Sequence, residues 1–214
     1  MRIAGMSKWF GIALAATAMT AATAQDGYGA KKADVKVGTE APAFVLMDTM
    51  GKKHDLKEYA QKGHTVVIEW FSPDCPFVVK HYDGNSTTTD IEKTFKDEKV
   101  TWLRINSNNQ AFYDNNNAEP AAHNQKARDG WKIDGPVLLD VDGKVGKMFG
   151  ATRTPEIFIV GADGMVKYHG ALCSDRGASN IGETVYAHEA LRQVLAGETV
   201  TMSQTRPYGC TIKY

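Results

Sequence analysis

Thr65-Val-Val-Ile-Glu-Trp-Phe-Ser-Pro-Asp-Cys-Pro-Phe77 joins an apolar run to a cysteine through a tight, proline-flanked turn. Residues 65–71 are β-branched and aromatic with one polar interruption, Glu69, which is the pattern of a central strand covered on both faces. After Cys75 and Pro76, residues Phe77, Val78 and His81 recur at helical spacing. Proline loses no hydrogen bond at the first helical position, so Cys75 is expected to be the N-cap. Unpaired N–H groups and the positive end of the helix would then favour thiolate over thiol and make this sulfur a nucleophile at neutral pH. The competing role for a lone cysteine is that of a small buried hydrophobe.

Working outward, residues 43–47 alternate, residues 54–61 read as a short helix, and residues 88–99 as a longer one. Residues 100–105 are a second buried strand, residues 106–119 an Asn-rich loop with no chemical motif, and residues 120–131 a helix. A third strand at 137–140, a helical turn at 145–149, a hairpin through Asp163-Gly164 and a helix at 184–195 lead to the tail Arg206-Pro-Tyr-Gly-Cys-Thr-Ile-Lys-Tyr214. Strands alternate with helices until the closing hairpin, which implies one α/β domain with a central mixed sheet flanked by helices.

The chain has 214 residues, 25 basic and 25 acidic side chains and 43% hydrophobic content, which excludes disorder and removes a general electrostatic case for nucleic acid. Arg2 and Lys8 precede an apolar, small-residue run that closes in Ala22-Thr23-Ala24, the three parts of a secretory signal. The expected division is a signal peptide at 1–24, a flexible leader at 25–36, a domain at 37–198 and a tail at 199–214. No other stretch is apolar enough to span a bilayer, so no stable membrane insertion is expected after cleavage, and the product would be secreted or periplasmic. In such an oxidising compartment Cys75, Cys173 and Cys210 tend towards disulfides or a redox cycle, and three thiols leave one over from any single bridge.

Residues 37–171 resemble the thioredoxin-like superfamily, in its redoxin branch with alkyl hydroperoxide reductase and thiol-specific antioxidant proteins. The resemblance rests on Val37-Gly-Thr-Glu-Ala-Pro-Ala-Phe with Leu46, Asp48, Gly51 and His54, on Glu69-Trp-Phe-Ser-Pro-Asp-Cys-Pro-Phe, on Arg153-Thr-Pro, and on the tail from Pro207. It implies a thioredoxin-like fold and thiol-disulfide oxidoreductase activity. Cys75 would be the attacking thiolate, and Glu69 a buried carboxylate that moves protons. Thr154 and Pro155 would form a cis-proline loop that aligns substrate. The partner cysteine of the family's motif is replaced by Val78, so the resolving thiol must come from a distance: Cys210 on the tail, with Cys173 as rival. A structural Cys173–Cys210 bridge is the remaining arrangement. The substrate would be a protein or small-molecule disulfide and the electron donor a thiol of unknown identity, with no organic cofactor.

Two other activities fit parts of the pattern. A peroxidase would reduce hydroperoxides through a Cys75 sulfenic acid, with Ser72 three residues before the sulfur and Arg153 or Arg104 over the peroxide. A non-catalytic module, a chaperone or a soft-metal site, would hold Cu(I) between Cys75, His81 and a tail thiol. Neither the proline expected earlier in the peroxidase pattern nor a diagnostic ligand spacing is present.

Overall fold

The structure is a computed structural model that describes Met1 and residues 35–214. The signal peptide and all but the end of the leader lie outside the described residues. Val35 is buried in the core, so packing begins two residues ahead of the expected boundary at Val37.

Seven strands form one mixed sheet in the order β2-β1-β5-β4-β3-β7-β8. They are β1 Val45–Asp48, β2 Lys53–Asp55, β3 Thr65–Trp70, β4 Val100–Asn106, β5 Val137–Leu139, β7 Glu156–Val160 and β8 Val166–Gly170. Arg153–Thr154 is β6 and Cys210–Thr211 is β9, and these two pair with each other outside the main sheet. The apolar run at 65–70 holds the centre: β3 is parallel to β4, antiparallel to β7, and buried at every residue.

Alternation along β3 sends Val66, Ile68 and Trp70 into a core with Leu103, Ile105, Phe149 and Phe158. Val67 faces the opposite core, with Trp102, Ile157, Ile159, Tyr168 and Leu191. The helices that flank the sheet are α1 Leu56–Gln61, α2 Pro76–Val79, α3 Thr87–Thr94, α4 Gln110–Asn115, α5 Pro120–Gly130, α6 Lys144–Phe149 and α7 Tyr186–Leu195. This is the thioredoxin-like α/β arrangement that the sequence leads one to expect.

Local departures have local causes. The helix expected at 54–61 begins at Leu56, because Asp55 caps it through the Lys57 N–H. His54 stays in β2, held by Asp48 Oδ2 at 2.9 Å and Tyr59 Oη at 2.7 Å. The loop at 106–119 contains α4, started by the Asn109 side chain accepting from the Phe112 N–H. The Asp163-Gly164 turn forms as expected, with Gly164 at φ +78°.

The tail is the part that the strand and helix pattern left unplaced. Arg153 pairs with Thr211 and Thr154 with Cys210, antiparallel, while Tyr208 and Ile212 are buried. Gly209 makes this approach possible: its φ is +115°, and a Cβ there would stand 2.0 Å from the Thr154 carbonyl oxygen.

Leu103 is fully buried and Met47 is 48% exposed. We expect Leu103→Ala to cost about 2–5 kcal/mol in denaturant unfolding, and Met47→Ala to change stability by less than ~0.5 kcal/mol.

Candidate active site

The end of β3 delivers Cys75 to the helix start. The Cys75 N–H donates to Ser72 O at 3.1 Å, and its carbonyl accepts from Val78 and Val79 at 2.8 and 2.9 Å. With φ −92° and ψ 115°, and Pro76 behind it, Cys75 is the N-cap of α2. It is 1% exposed.

The expected stabilisation of the sulfur by the helix N–H groups does not form. The Cys75 sulfur makes no capping bond to the helix N–H groups; it donates to Thr154 O at 3.0 Å instead. The Phe77 backbone N–H is among the groups that favour a thiolate at Cys210. The physical reason is the tail, which places Cys210 in front of the helix while the carbonyl of the Thr154-Pro155 loop takes the Cys75 thiol hydrogen. The Thr154-Pro155 peptide bond is cis, as the resemblance implied.

Cys210 is partly buried and pairs through its backbone with Thr154, whose carbonyl accepts from Cys75 Sγ, and all three cysteines are free thiols. Burial, followed by the neighbouring Cys75 sulfur, pushes the Cys210 thiol up to about 12, against the opposing Lys213 ammonium and Phe77 N–H. Cys173 lies elsewhere. Its sulfur is buried against Tyr208 Oη at 2.9 Å, Asp175 O at 3.5 Å and His81 Nε2 at 3.9 Å, in the core that faces α7.

Glu69 is fully buried on the face of β3 opposite Trp70. Its Oε2 accepts from Tyr82 Oη at 2.6 Å and Trp102 Nε1 at 2.9 Å, with Arg104 Nε at 3.8 Å, while Oε1 has no partner. Its hydrogen bonds run to these groups and not to Cys75; the Tyr82 ring packs in the same apolar cluster as Cys75, Phe71 and Val78. Burial raises the Glu69 carboxyl above the ordinary value, and the Arg104 charge and the two donors offset that only in part. Lys80 does not pair with Glu69: its ammonium donates to the carbonyls of Asp175, Gly177 and Asn180.

Other candidates separate in the same way. Arg104 is committed to Glu92 and to Tyr82 Oη, and the Arg153 guanidinium to Thr211 Oγ1. His81 turns to Cys173 and Tyr208, so the set of Cys75, His81 and a tail thiol does not assemble. Burial pushes the His81 imidazole down to about 3, with Lys80 adding to the effect.

Sequence reasoning missed three residues that shape the site. Glu156 Oε2 accepts from the Thr152 and Arg153 N–H groups at 2.8 and 2.9 Å and pins the loop beside Cys75. A carboxylate opening the apolar run at 156–160 was the available signal. Asn108 bridges Ser72 Oγ at 3.2 Å and the Lys213 N–H at 3.1 Å, tying the cysteine turn to the tail. His123 pairs with Asp74, next to Cys75, at 2.9 Å. The last two come from the segment after β4 and from α5, and local sequence carries no sign of where they meet.

An α/β fold with a helix-capping cysteine against a cis-proline loop defines a thioredoxin-like protein. The redoxin family model matches residues 36–185, and the chain belongs to the redoxin family. The matched span contains Cys75 and stops before Cys210. Among curated relatives, thiol-disulfide oxidoreductase ResA of Bacillus cereus is 26% identical over 144 residues, covering 67% of this chain and 75% of that protein. ResA of Bacillus subtilis is 27% identical over 142 residues, covering 64% and 68%. A hypothetical protein from Sinorhizobium meliloti superposes with a TM-score of 0.74 at 26% identity, covering 85% of this chain and 96% of that one.

The raised Glu69 value gives a pH test. Its protonated form is favoured by folding, so the contribution is complete below the unfolded value, near 4.5, and is lost as pH rises through the raised folded value. We expect wild-type stability to fall across that window relative to Glu69→Gln, as read by urea unfolding at successive pH values.

Proposed function

We propose that the chain is an exported thiol-disulfide oxidoreductase of the redoxin type whose redox couple is Cys75 and Cys210. The observation that carries this reading is the antiparallel pairing of Thr154 with Cys210, which sets the tail thiol at the carbonyl that accepts from the Cys75 sulfur. The Cys75 thiolate attacks one sulfur of a disulfide, whose other sulfur leaves as a thiolate and takes a proton. Cys210 then attacks the Cys75 sulfur of the mixed disulfide. A Cys75–Cys210 disulfide forms and the second substrate thiol leaves. A thiol donor returns two electrons to the couple, so no organic cofactor is required.

Thr154 holds the Cys75 thiol hydrogen through its carbonyl, and Pro155 continues the loop that presents it. The Glu69 carboxyl, kept protonated upward in pH by burial, is proposed to exchange protons with the site through Tyr82. Export rests on the basic start, apolar run and Ala-Thr-Ala exit of residues 1–24. Disulfide exchange is favoured over peroxide reduction because Arg104 and Arg153, the cations named for a peroxide, are bound to Glu92 and Thr211.

Turnover of 2-hydroxyethyl disulfide with a thiol donor tests the assignment. Cys75→Ser should lose activity by at least about a hundredfold, as for removal of a nucleophile. Cys210→Ser should stall after one exchange as a mixed disulfide on Cys75, while Cys173→Ala should keep turning over. Sustained wild-type turnover in Cys210→Ser would remove Cys210 from the mechanism.

A further inference from the structure

The resolving sulfur is carried by a strand that fills a shaped seat. On one side the tail pairs with the cis-proline loop: Arg153 with Thr211, Thr154 with Cys210, and the Ile212 N–H to Thr152 O at 3.4 Å. On the other side the Asn109 N–H donates to Lys213 O at 2.7 Å, and the Lys213 N–H to Asn108 Oδ1. Tyr214 Oη closes the end by donating to Ala151 O at 2.8 Å. Beneath this strand Cys75 is 1% exposed, so no external disulfide reaches its sulfur while the strand is seated.

The seat also has a size rule. At position 209 a Cβ would stand 2.0 Å from Thr154 O and 3.3 Å from Phe77 Cβ, and φ is +115°. The residue before the sulfur-bearing one must be glycine.

We propose that residues 209–213 occupy the place that an extended polypeptide disulfide takes during the reaction, so that resolution of Cys75 and release of substrate are one strand exchange. The proposal rests on the Cys75/Cys210 reading and adds the substrate class: a polypeptide whose disulfide cysteine directly follows glycine. An extended chain that brings a sulfur to Cys75 by strand pairing must put it where Cys210 lies, and it meets the same Thr154 carbonyl.

The tail is tethered at an effective concentration on the order of millimolar, so polypeptide enters when the tail opens and is expelled when it returns. The chemistry balances. In the open state the Cys75 thiolate breaks the substrate disulfide and forms a mixed disulfide, releasing one substrate sulfur as a thiolate. The returning Cys210 thiol gives up its proton and attacks the Cys75 sulfur. The second substrate sulfur leaves as its strand is displaced. The substrate gains two electrons and the Cys75–Cys210 pair loses two.

The test uses the full chain and three disulfides: the peptide Arg-Pro-Tyr-Gly-Cys-Thr-Ile-Lys-Tyr linked to 2-nitro-5-thiobenzoate, the same peptide with alanine in place of its glycine, and 2-hydroxyethyl disulfide. The glycine peptide should be reduced with at least a tenfold higher kcat/KM than the alanine peptide. Tyr214→Phe, which removes the bond to Ala151 O, should raise the ratio of peptide to 2-hydroxyethyl disulfide reduction several-fold. Equal rates for the two peptides, or a ratio unmoved by Tyr214→Phe, would overturn the strand exchange while leaving the redox couple intact. Failure of Cys75 to exchange with any of the three would instead overturn the couple.

Discussion

The antiparallel pairing of Thr154 with Cys210 is the contact on which the site depends. It brings together, across a sequence separation of more than fifty residues, the loop that takes the Cys75 thiol hydrogen and the Cys210 thiol that we propose as its redox partner. Its geometry leaves no room at Gly209, where a side chain would displace the strand from the Thr154 carbonyl. Each ladder bond contributes only about 0.5–1.5 kcal/mol, so the strand is held by their sum with the burial of Tyr208 and Ile212. Such a segment can be ordered at rest and still open locally.

Behind the sulfur pair lies a buried charged cluster. Arg104 is fully buried with Glu92, Tyr82 and Glu69 around it. Coulombic gain inside a protein is set against desolvation, and stranding one charge of such a cluster costs about 3–5 kcal/mol. For Glu69 desolvation wins, which raises its carboxyl value even beside a guanidinium. The same opposition acts on Arg104 with the reverse result: its guanidinium is held above its usual value, because the surrounding acidic groups outweigh burial. The two partners are thereby assigned different tasks, a fixed cation and a carboxyl able to titrate.

Much of the fold was legible because it is written in short-range patterns. The apolar run at 65–70 reads as a strand covered on both faces, and it is the buried centre of the sheet. Pro76 marks the helix start and Asp163-Gly164 the hairpin. What the sequence left open depends on contacts between distant segments. The helix cap was legible at Cys75, but the destination of the cap's N–H groups was not, since it depends on where the tail lies. Asn108 acts by joining Ser72 to the Lys213 N–H, two segments far from it in sequence, and belongs to no local motif. Cys173 and Cys210 are equivalent in sequence as resolving thiols; only the three-dimensional path separates a sulfur beside Tyr208 from one beside Cys75.

The most direct measurement is a disulfide map of the full chain, oxidised by a mild disulfide and then alkylated, digested and read by mass spectrometry. The account predicts a Cys75–Cys210 linkage, with Cys173 recovered as an alkylated thiol. A Cys173–Cys210 linkage with Cys75 free would contradict it.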